Sequence, residues 1–193
     1  MIDKNSTTRV SLYTHARKEA KRGGYEVDNF MEGTKRIEMV REKLAKHHLE
    51  SGYVAFADGS CWNSDPNRCG GAAYVILNAH GEIFKTAHKG FCGTTNNRME
   101  MLAIISAVAS VPKGTDVVVV SDSKYAIYAL QRGGTANADL IKLYGRCREG
   151  IRNVIFEWTK GHAGNPLNEW CDYWSNHEYK AIFEALKNRK NNG

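Results

Sequence analysis

The chain has 193 residues, which suits one globular domain with an accessory segment and argues against two full-sized domains. Hydrophobic residues make up 42% and charged residues 25% of the chain, a balance that excludes wholesale disorder. The longest uncharged apolar run, Met101 to Val111, is shorter than the roughly 18 residues that a transmembrane helix needs. We therefore expect no membrane partner.

Lys and Arg exceed Asp and Glu by 27 to 21, a net charge of +6. A surplus of this size suits a polyanionic partner, although many solvated surfaces carry as much. The cysteines are odd in number, widely spaced and without a C-x-x-C pair: Cys61, Cys69, Cys92, Cys147 and Cys171. We expect reduced thiols in a cytoplasmic protein, with no disulfide framework and no structural zinc. The first residues also lack the apolar stretch of a secretory signal.

Residues 1–50 form a basic, partly helical N-terminal arm with 11 Lys and Arg. One amphipathic helix is predicted from Lys35 to Glu50, capped by Thr34, with an apolar stripe of Ile37, Val40 and Leu44. The arm is too small to bury a core of its own. It either docks on the rest of the chain or is a mobile appendage.

From Tyr53 the pattern is that of an α/β domain. Short connections join three apolar strands, which predicts an antiparallel meander. These strands are Tyr53 to Ala57, Gly71 to Leu77 and Glu82 to His88. The next segment, Arg98 to Val111, is apolar almost all round, as a buried helix is, and Pro112 with Gly114 ends it.

The four valines between Asp116 and Ser121 predict a central strand that is covered on both faces and parallel to a neighbour. Helices Ser123 to Leu130 and Asp139 to Glu149, a strand Val154 to Trp158 and a long helix from about Pro166 follow, before a basic polar tail at 188–193. We expect an α/β fold with a mixed five-stranded sheet, three antiparallel and two parallel strands, and helices on both faces.

Four carboxylates stand where chemistry could occur. Alone, Asp58 is typical of a turn, Asp122 of a helix cap and Asp172 of a solvated position, whereas Glu100 lies on a helix otherwise suited to burial. Together they follow strand ends or begin helices, where ligands of open α/β sheets gather. Such a cluster would repel itself unless it bound Mg²⁺ or Mn²⁺. Two such ions would activate a water and stabilise the leaving oxygen in an attack on phosphorus, which indicates a basic, metal-dependent phosphodiesterase.

The residues around these carboxylates resemble the motifs of the type I ribonuclease H family. The matching segments are D-G-S-C at 58–61, T-T-N-N-R-M-E at 94–100, S-D-S-K-Y at 121–125, and K-G-H-A-G-N-P at 160–166 leading to Cys171 and Asp172. Their order agrees with the family, and the match covers about residues 53–183. The resemblance implies a ribonuclease H-like fold, with the catalytic domain at 51–187.

The resemblance also implies the activity: endonucleolytic hydrolysis of the RNA strand of RNA–DNA hybrids, leaving 3′-hydroxyl and 5′-phosphate ends. Asp58 would bridge two Mg²⁺ ions, with Mn²⁺ as a substitute, and Asp172 would complete the site of the water-activating ion. Glu100 and Asp122 would hold the second ion, and His162 matches the family's mobile histidine. Two alternatives stay open: a catalytically silent hybrid-binding domain, or another nuclease of the same fold.

Several polar residues are candidates for substrate binding. The amides of Asn96 and Asn97, with Asn63 or Asn67, suit 2′-hydroxyl groups across a wide minor groove. In relatives the counterparts of Thr95 and Asn168 hold a phosphate of the DNA strand. Lys124 stands where relatives often have an amide, and a cation there suits a phosphate.

The chain departs from many bacterial members after Leu130, where they insert a basic, Trp-bearing helix. Here only the segment Gln131 to Ala138 follows, with Arg132 as its one base. The sequence thus resembles a shorter, handle-less branch, which we expect to act as a monomer. We hypothesise that the basic arm replaces the handle in substrate affinity; a docking or solubilising segment is the alternative.

Overall fold

The computed structural model describes residues 27–162 and 164–191 and contains one five-stranded sheet. Its strands are β1 (Tyr53–Cys61), β2 (Gly70–Leu77), β3 (Ile83–Phe91), β4 (Asp116–Ser121) and β5 (Asn153–Trp158), in the order β3-β2-β1-β4-β5. Strands β1, β2 and β3 pair antiparallel, whereas β4 runs parallel to both β1 and β5. The predicted mixed sheet is confirmed.

Six helices in the described part of the chain cover both faces of this sheet. They are α1 (Val27–Phe30), α2 (Gly33–Lys46), α3 (Asn96–Val108), α4 (Lys124–Arg132), α5 (Ala138–Cys147) and α6 (Pro166–Asn191). Helices α3, α4 and α5 pack on one face and α1, α2 and α6 on the other. Among the described residues, no helix is long and apolar enough to cross a membrane.

Strand β4 has the bounds that the valine run predicts, and its alternating side chains enter two separate cores. Val117 and Val119 pack under α3, α4 and α5, and Val118 and Val120 pack under α6. All four are fully buried. A strand covered on both faces needs apolar residues at every position, which is why the run carries no polar residue.

Strand β1 continues four residues beyond its predicted end at Ala57. Asp58 therefore lies inside the strand, paired with Ala73, and its interpretation as a turn residue is wrong. The residues D-G-S-C can remain extended because β2 supplies backbone partners as far as Gly70. Helix α6 also runs further than expected, through part of the predicted tail to Asn191.

Helix α3 starts two residues earlier than predicted, because the Thr95 side chain accepts a hydrogen bond from the Arg98 N–H and caps it. The helix ends at Val108, before Pro112. Helices α4 and α5 are joined by residues 133–137 alone, as the handle-less prediction requires. Because this link is short, it does not cover the outer face of α4, where Tyr128 is 58% exposed.

Helix α2 differs from the prediction in its start and in its buried face. It begins at Gly33 after Glu32, so Thr34 is not the cap. Of the predicted stripe, Val40 and Leu44 are buried, but Ile37 is only partly so. Arg36 is buried instead, since its guanidinium donates to the carbonyl of Gly81 at 3.2 Å.

The described part of the arm, residues 27–50, docks on the rest of the chain. Val40 and Leu44 enter the same core as Phe56 of β1. At the end of α2, Lys43 Nζ lies 2.6 Å from Glu157 Oε2, and His47 Nε2 lies 2.6 Å from Glu157 Oε1. Burial alone would raise the pKa of Glu157, but the bonds from Lys43 and His47 outweigh it and hold that pKa below its usual value.

A close backbone approach beside the predicted catalytic residues joins β1 to α3 at Gly59. A Cβ at this position would lie 2.2 Å from the carbonyl carbon of Met99 and 2.3 Å from the backbone nitrogen of Glu100. Only glycine leaves room for such contact. The contact sets the position of Glu100 relative to Asp58, the residue before Gly59.

We expect Leu44→Ala to lower the free energy of unfolding by about 2–5 kcal/mol, because it leaves a cavity where α2 meets the sheet. Arg41→Ala, at an exposed position of the same helix, should change it by less than about 0.5 kcal/mol. Urea denaturation of both variants measures the difference. Equal stabilities would show that α2 is not docked in solution.

We expect Gly59→Ala to destabilise the fold by at least about 1–3 kcal/mol, because the new Cβ forces β1 and α3 apart. Gly145 on α5 provides the matched control, since a Cβ there meets no atom within 4 Å. Gly145→Ala should be neutral or stabilising by up to about 1 kcal/mol. Thermal unfolding followed by circular dichroism reads out both; a Gly59→Ala protein as stable as the parent would contradict the close contact.

Candidate active site

The four predicted carboxylates meet at one edge of the sheet. Asp58 lies on β1, Asp122 directly follows β4, Glu100 is on α3 and Asp172 is on α6. The parallel pairing of β1 with β4 ends at Phe56 and Val120, so both aspartates lie just past it. The topology thus brings together residues that are far apart in sequence. The most distant two, Asp58 and Asp172, are separated by 114 positions.

Asp58 is the most enclosed of the four, with 6% of its surface exposed. Its Oδ1 accepts a hydrogen bond from the N–H of Gly59 at 2.8 Å. Burial raises the pKa of Asp58 well above its usual value, and the negative charges of Asp122, Asp172 and Glu100 raise it further. A positively charged partner, such as a divalent cation, would therefore favour the ionised form of Asp58.

Glu100 is held by two neutral donors. Asn96 Nδ2 donates to Glu100 Oε1 at 2.7 Å, and Ser123 Oγ donates to Oε2 at 2.6 Å. Burial raises the pKa of Glu100, and the bond from Ser123 opposes that rise. The amide oxygen of Asn96 accepts the N–H of Cys61 at 3.1 Å, so the Asn96 side chain links the end of β1 to Glu100.

Ser123 is a functional candidate that the sequence analysis missed. It is the cap of α4, since its Oγ accepts from the N–H of Ala126 at 3.0 Å, whereas Asp122 was expected in that role. The same hydroxyl donates to Glu100. Its place directly after Asp122 was the available signal, but only the fold shows that α4 begins beside α3.

Neutral donors also orient the other two carboxylates. Asn168 Nδ2 donates to Asp122 Oδ2 at 3.2 Å, and Trp158 Nε1 donates to the Asp122 backbone carbonyl at 2.9 Å. One turn along α6 from Asp172, Asn176 Nδ2 donates to Asp172 Oδ1 at 2.7 Å. Trp158 and Asn176 were not singled out from the sequence; the spacing of four between 172 and 176 was the signal for Asn176.

The donor set fits a hard divalent cation. All four side chains offer carboxylate oxygens, the ligands that Mg²⁺ and Mn²⁺ prefer. None of the four pairs with a Lys or Arg side chain in the part of the chain that the structure describes. In that same part, no three His, Cys, Asp or Glu side chains form a ready-made metal cage.

His162 lies on an exposed loop with a positive φ of 51°. The preceding residue, Gly161, touches the site: a Cβ there would lie 2.7 Å from Asp122 Oδ2. The loop thus passes directly over Asp122, while the imidazole faces solvent. His162 therefore follows directly after a residue that contacts Asp122.

The predicted substrate residues fall into two groups. Thr95, Asn96 and Asn168 are engaged inside the protein, as the cap of α3 and as donors to Glu100 and Asp122. The exposed group comprises Asn63, Asn97 and Lys124. Lys124 Nζ lies 4.2 Å above the ring of Trp158, beside Asp122.

Asn67, the alternative to Asn63, is held within its own loop. The Asp65 carboxylate is buried and accepts bonds from the backbone N–H and the side-chain amide of Asn67, both at 3.1 Å. The same carboxylate accepts from the N–H of Cys69. Asn63 is therefore the freer of the two amides.

Comparison with known proteins agrees with this geometry. The sequence profile of the family described as RNase H matches residues 50–180. The chain is 36% identical over 131 residues to the ribonuclease H of Pseudoalteromonas atlantica, and 37% identical over 132 residues to that of Psychromonas ingrahamii. Each alignment covers 61% of this chain and 83% of the relative. With the fold and all four carboxylates in place, the chain belongs to the ribonuclease H family of enzymes.

Proposed function

We propose that the protein cleaves the RNA strand of RNA–DNA hybrids endonucleolytically, with two Mg²⁺ ions, leaving 3′-hydroxyl and 5′-phosphate ends. Mn²⁺ is the expected substitute. The observation that carries the proposal is that four carboxylates meet at one edge of the sheet: Asp58, Glu100, Asp122 and Asp172. The negative charges of the other three all act on Asp58. The family membership of residues 50–180 supports the same activity.

The four carboxylates would hold the metal ions: Asp58 would contribute to both, Asp172 to one, and Glu100 with Asp122 to the other. Divalent ions supply Lewis acidity and lower the pKa of bound water. The chain's own residues supply orientation. Ser123 and Asn96 fix both oxygens of Glu100, and Asn168 fixes one of Asp122. His162 can hold and release a proton at the open side.

Recognition of the hybrid rests on the exposed polar residues around the edge. Asn97 and Asn63 present free amides that suit 2′-hydroxyl groups, which only the RNA strand offers. Lys124, in contact with Trp158, presents a positive charge to a phosphate near Asp122. Thr95, the cap of α3, would hold a DNA-strand phosphate, whereas Asn168, the other residue predicted for this role, is buried and donates to Asp122 instead.

A second candidate, a hybrid-binding domain without catalysis, is less well supported because it gives no reason for four adjacent carboxylates. Another nuclease of the same fold would use a similar carboxylate cluster, and substrate choice distinguishes it. We further propose a monomer that works in the cytoplasm without structural zinc.

The proposal predicts cleavage of labelled RNA–DNA hybrid in Mg²⁺, with none in EDTA and none of double-stranded RNA, single-stranded RNA or double-stranded DNA. Asp58→Asn should reduce kcat by at least about a hundredfold, because it removes a charge that holds both ions. Glu149→Gln, at an exposed site, is the matched control and should retain activity. Cleavage of DNA, or activity in EDTA, would refute the mechanism.

The affinity role of the basic arm is best tested by deleting residues 1–26, since deleting 1–50 would also remove Val40 and Leu44 from the core. Residues 1–26 carry six Lys and Arg against three Asp and Glu, and lie outside the described structure. We expect a higher KM for hybrid with a shallower salt dependence, and an unchanged kcat. The same KM with and without the segment, at several salt concentrations, would rule this role out.

A further inference from the structure

Two cysteines face each other where β2 begins and β3 has just ended. Gly70 and Phe91 are the last register pair of these strands, and Cys69 and Cys92 are the next residues outward. Their sulfur atoms lie 3.9 Å apart. The N–H of Cys69 donates to Asp65 and its carbonyl accepts from Trp62, so neither backbone group is bonded to Cys92. Facing residues without mutual backbone bonds bring their side chains closest in an antiparallel pair.

The two thiols differ in access, which suits an ordered reaction. Cys92 is exposed and is the most accessible of the five cysteines. Cys69 is fully buried, and burial together with its contact to Asp65 raises the pKa of its thiol. Cys171, by contrast, is buried with its sulfur donating to the carbonyl of Phe56. A dissolved oxidant therefore meets Cys92 first, with Cys69 next to it as the resolving thiol.

We propose that Cys69 and Cys92 are an oxidisable dithiol, which a small-molecule disulfide such as oxidised glutathione converts into an intramolecular disulfide that weakens binding of the hybrid. The Cys92 thiolate attacks one sulfur of the small disulfide, forming a mixed disulfide and releasing one thiolate. Cys69 gives its proton to that thiolate and attacks the Cys92 sulfur, which releases the second small thiolate; this takes up, through water, the proton that Cys92 lost when it formed its thiolate. The protein loses two electrons and two protons, and the small disulfide becomes two thiols.

The position of the pair connects it to the proposed substrate contacts. Gly93, with a φ of 66°, leads from Cys92 directly to Thr94 and to Thr95, the cap of α3. Gly70, next to Cys69, packs so tightly that a Cβ there would lie 2.6 Å from the methyl group of Thr94. A disulfide between Cys69 and Cys92 would fix the neighbours of both residues in this contact, Gly70 and Thr94. The segment from Cys92 to Thr95 would then adjust less readily to a phosphate of the hybrid.

A cleft beside the pair gives an oxidant room to approach. It has a volume of about 260 Å³ and is lined by Cys92, Thr94 and Arg98 among others. Arg98 brings a positive charge to this cleft, although Asp139 pairs with it. The residues that line it include Cys92, with the exposed thiol, and Arg98 in the first turn of α3, the helix that carries Glu100.

The test treats the reduced full-length protein with oxidised glutathione, counts free thiols and maps disulfides by mass spectrometry. We expect the loss of two thiols, one peptide pair linked through Cys69 and Cys92, and reversal by dithiothreitol. Cys69→Ser should stop at a mixed disulfide on Cys92, and Cys147→Ser, on α5, should still form the link. Glutathione retained on Cys92 in the parent protein, or a link to Cys61, would overturn the pairing.

The effect on binding rests on the proposed function and is measured separately. We expect the KM for hybrid to rise severalfold on oxidation of the parent protein, with kcat little changed, and oxidant to have no such effect on Cys92→Ser. An unchanged KM despite complete linkage would overturn the coupling to substrate. Absence of hybrid cleavage in the reduced protein would instead overturn the proposed function, while the disulfide map would still decide the pairing.

Discussion

The unequal pairing of β1 with its two neighbours is the constraint on which the site depends. Strand β1 pairs with β2 as far as Cys61, but with β4 only as far as Phe56. Past that point one side of β1 is open, and α3 fills it through the backbone contact at Gly59. Asp58 thereby comes to lie between the end of β4 and the start of α3, within reach of charges from three other elements.

The groups that hold the carboxylates are neutral, and this preserves the charge of the cluster. Asn96, Ser123, Asn168 and Asn176 donate hydrogen bonds that orient oxygen atoms without cancelling their charge. A lysine in any of these places would lower the repulsion but would also compete with a divalent cation. The chain as a whole has a net charge of +6, so this cluster of four carboxylates is a local negative site within a positive total.

The sequence predicted those features that local pattern determines. The bounds of β4 were correct, because four consecutive valines suit few other structures. The extension of β1 through Asp58 could not be foreseen, since D-G-S-C is typical of a turn and stays extended only through its pairing with β2. Likewise the internal use of Asn96 and Asn168 depends on contacts between distant elements, so a sequence suggests the amides but not what they hold.

The attachment of α2 to β5 has a consequence for how the chain folds. Lys43 and Glu157 are separated by 114 positions, so α2 leaves the ribosome well before its partner on β5 has been made. Until then Val40 and Leu44 face a core that still lacks the residues of α6. Contacts between distant residues slow folding and prolong the exposure of apolar surface. A delay in synthesis would therefore prolong the exposure of the apolar face of α2 and so favour its proteolysis or aggregation.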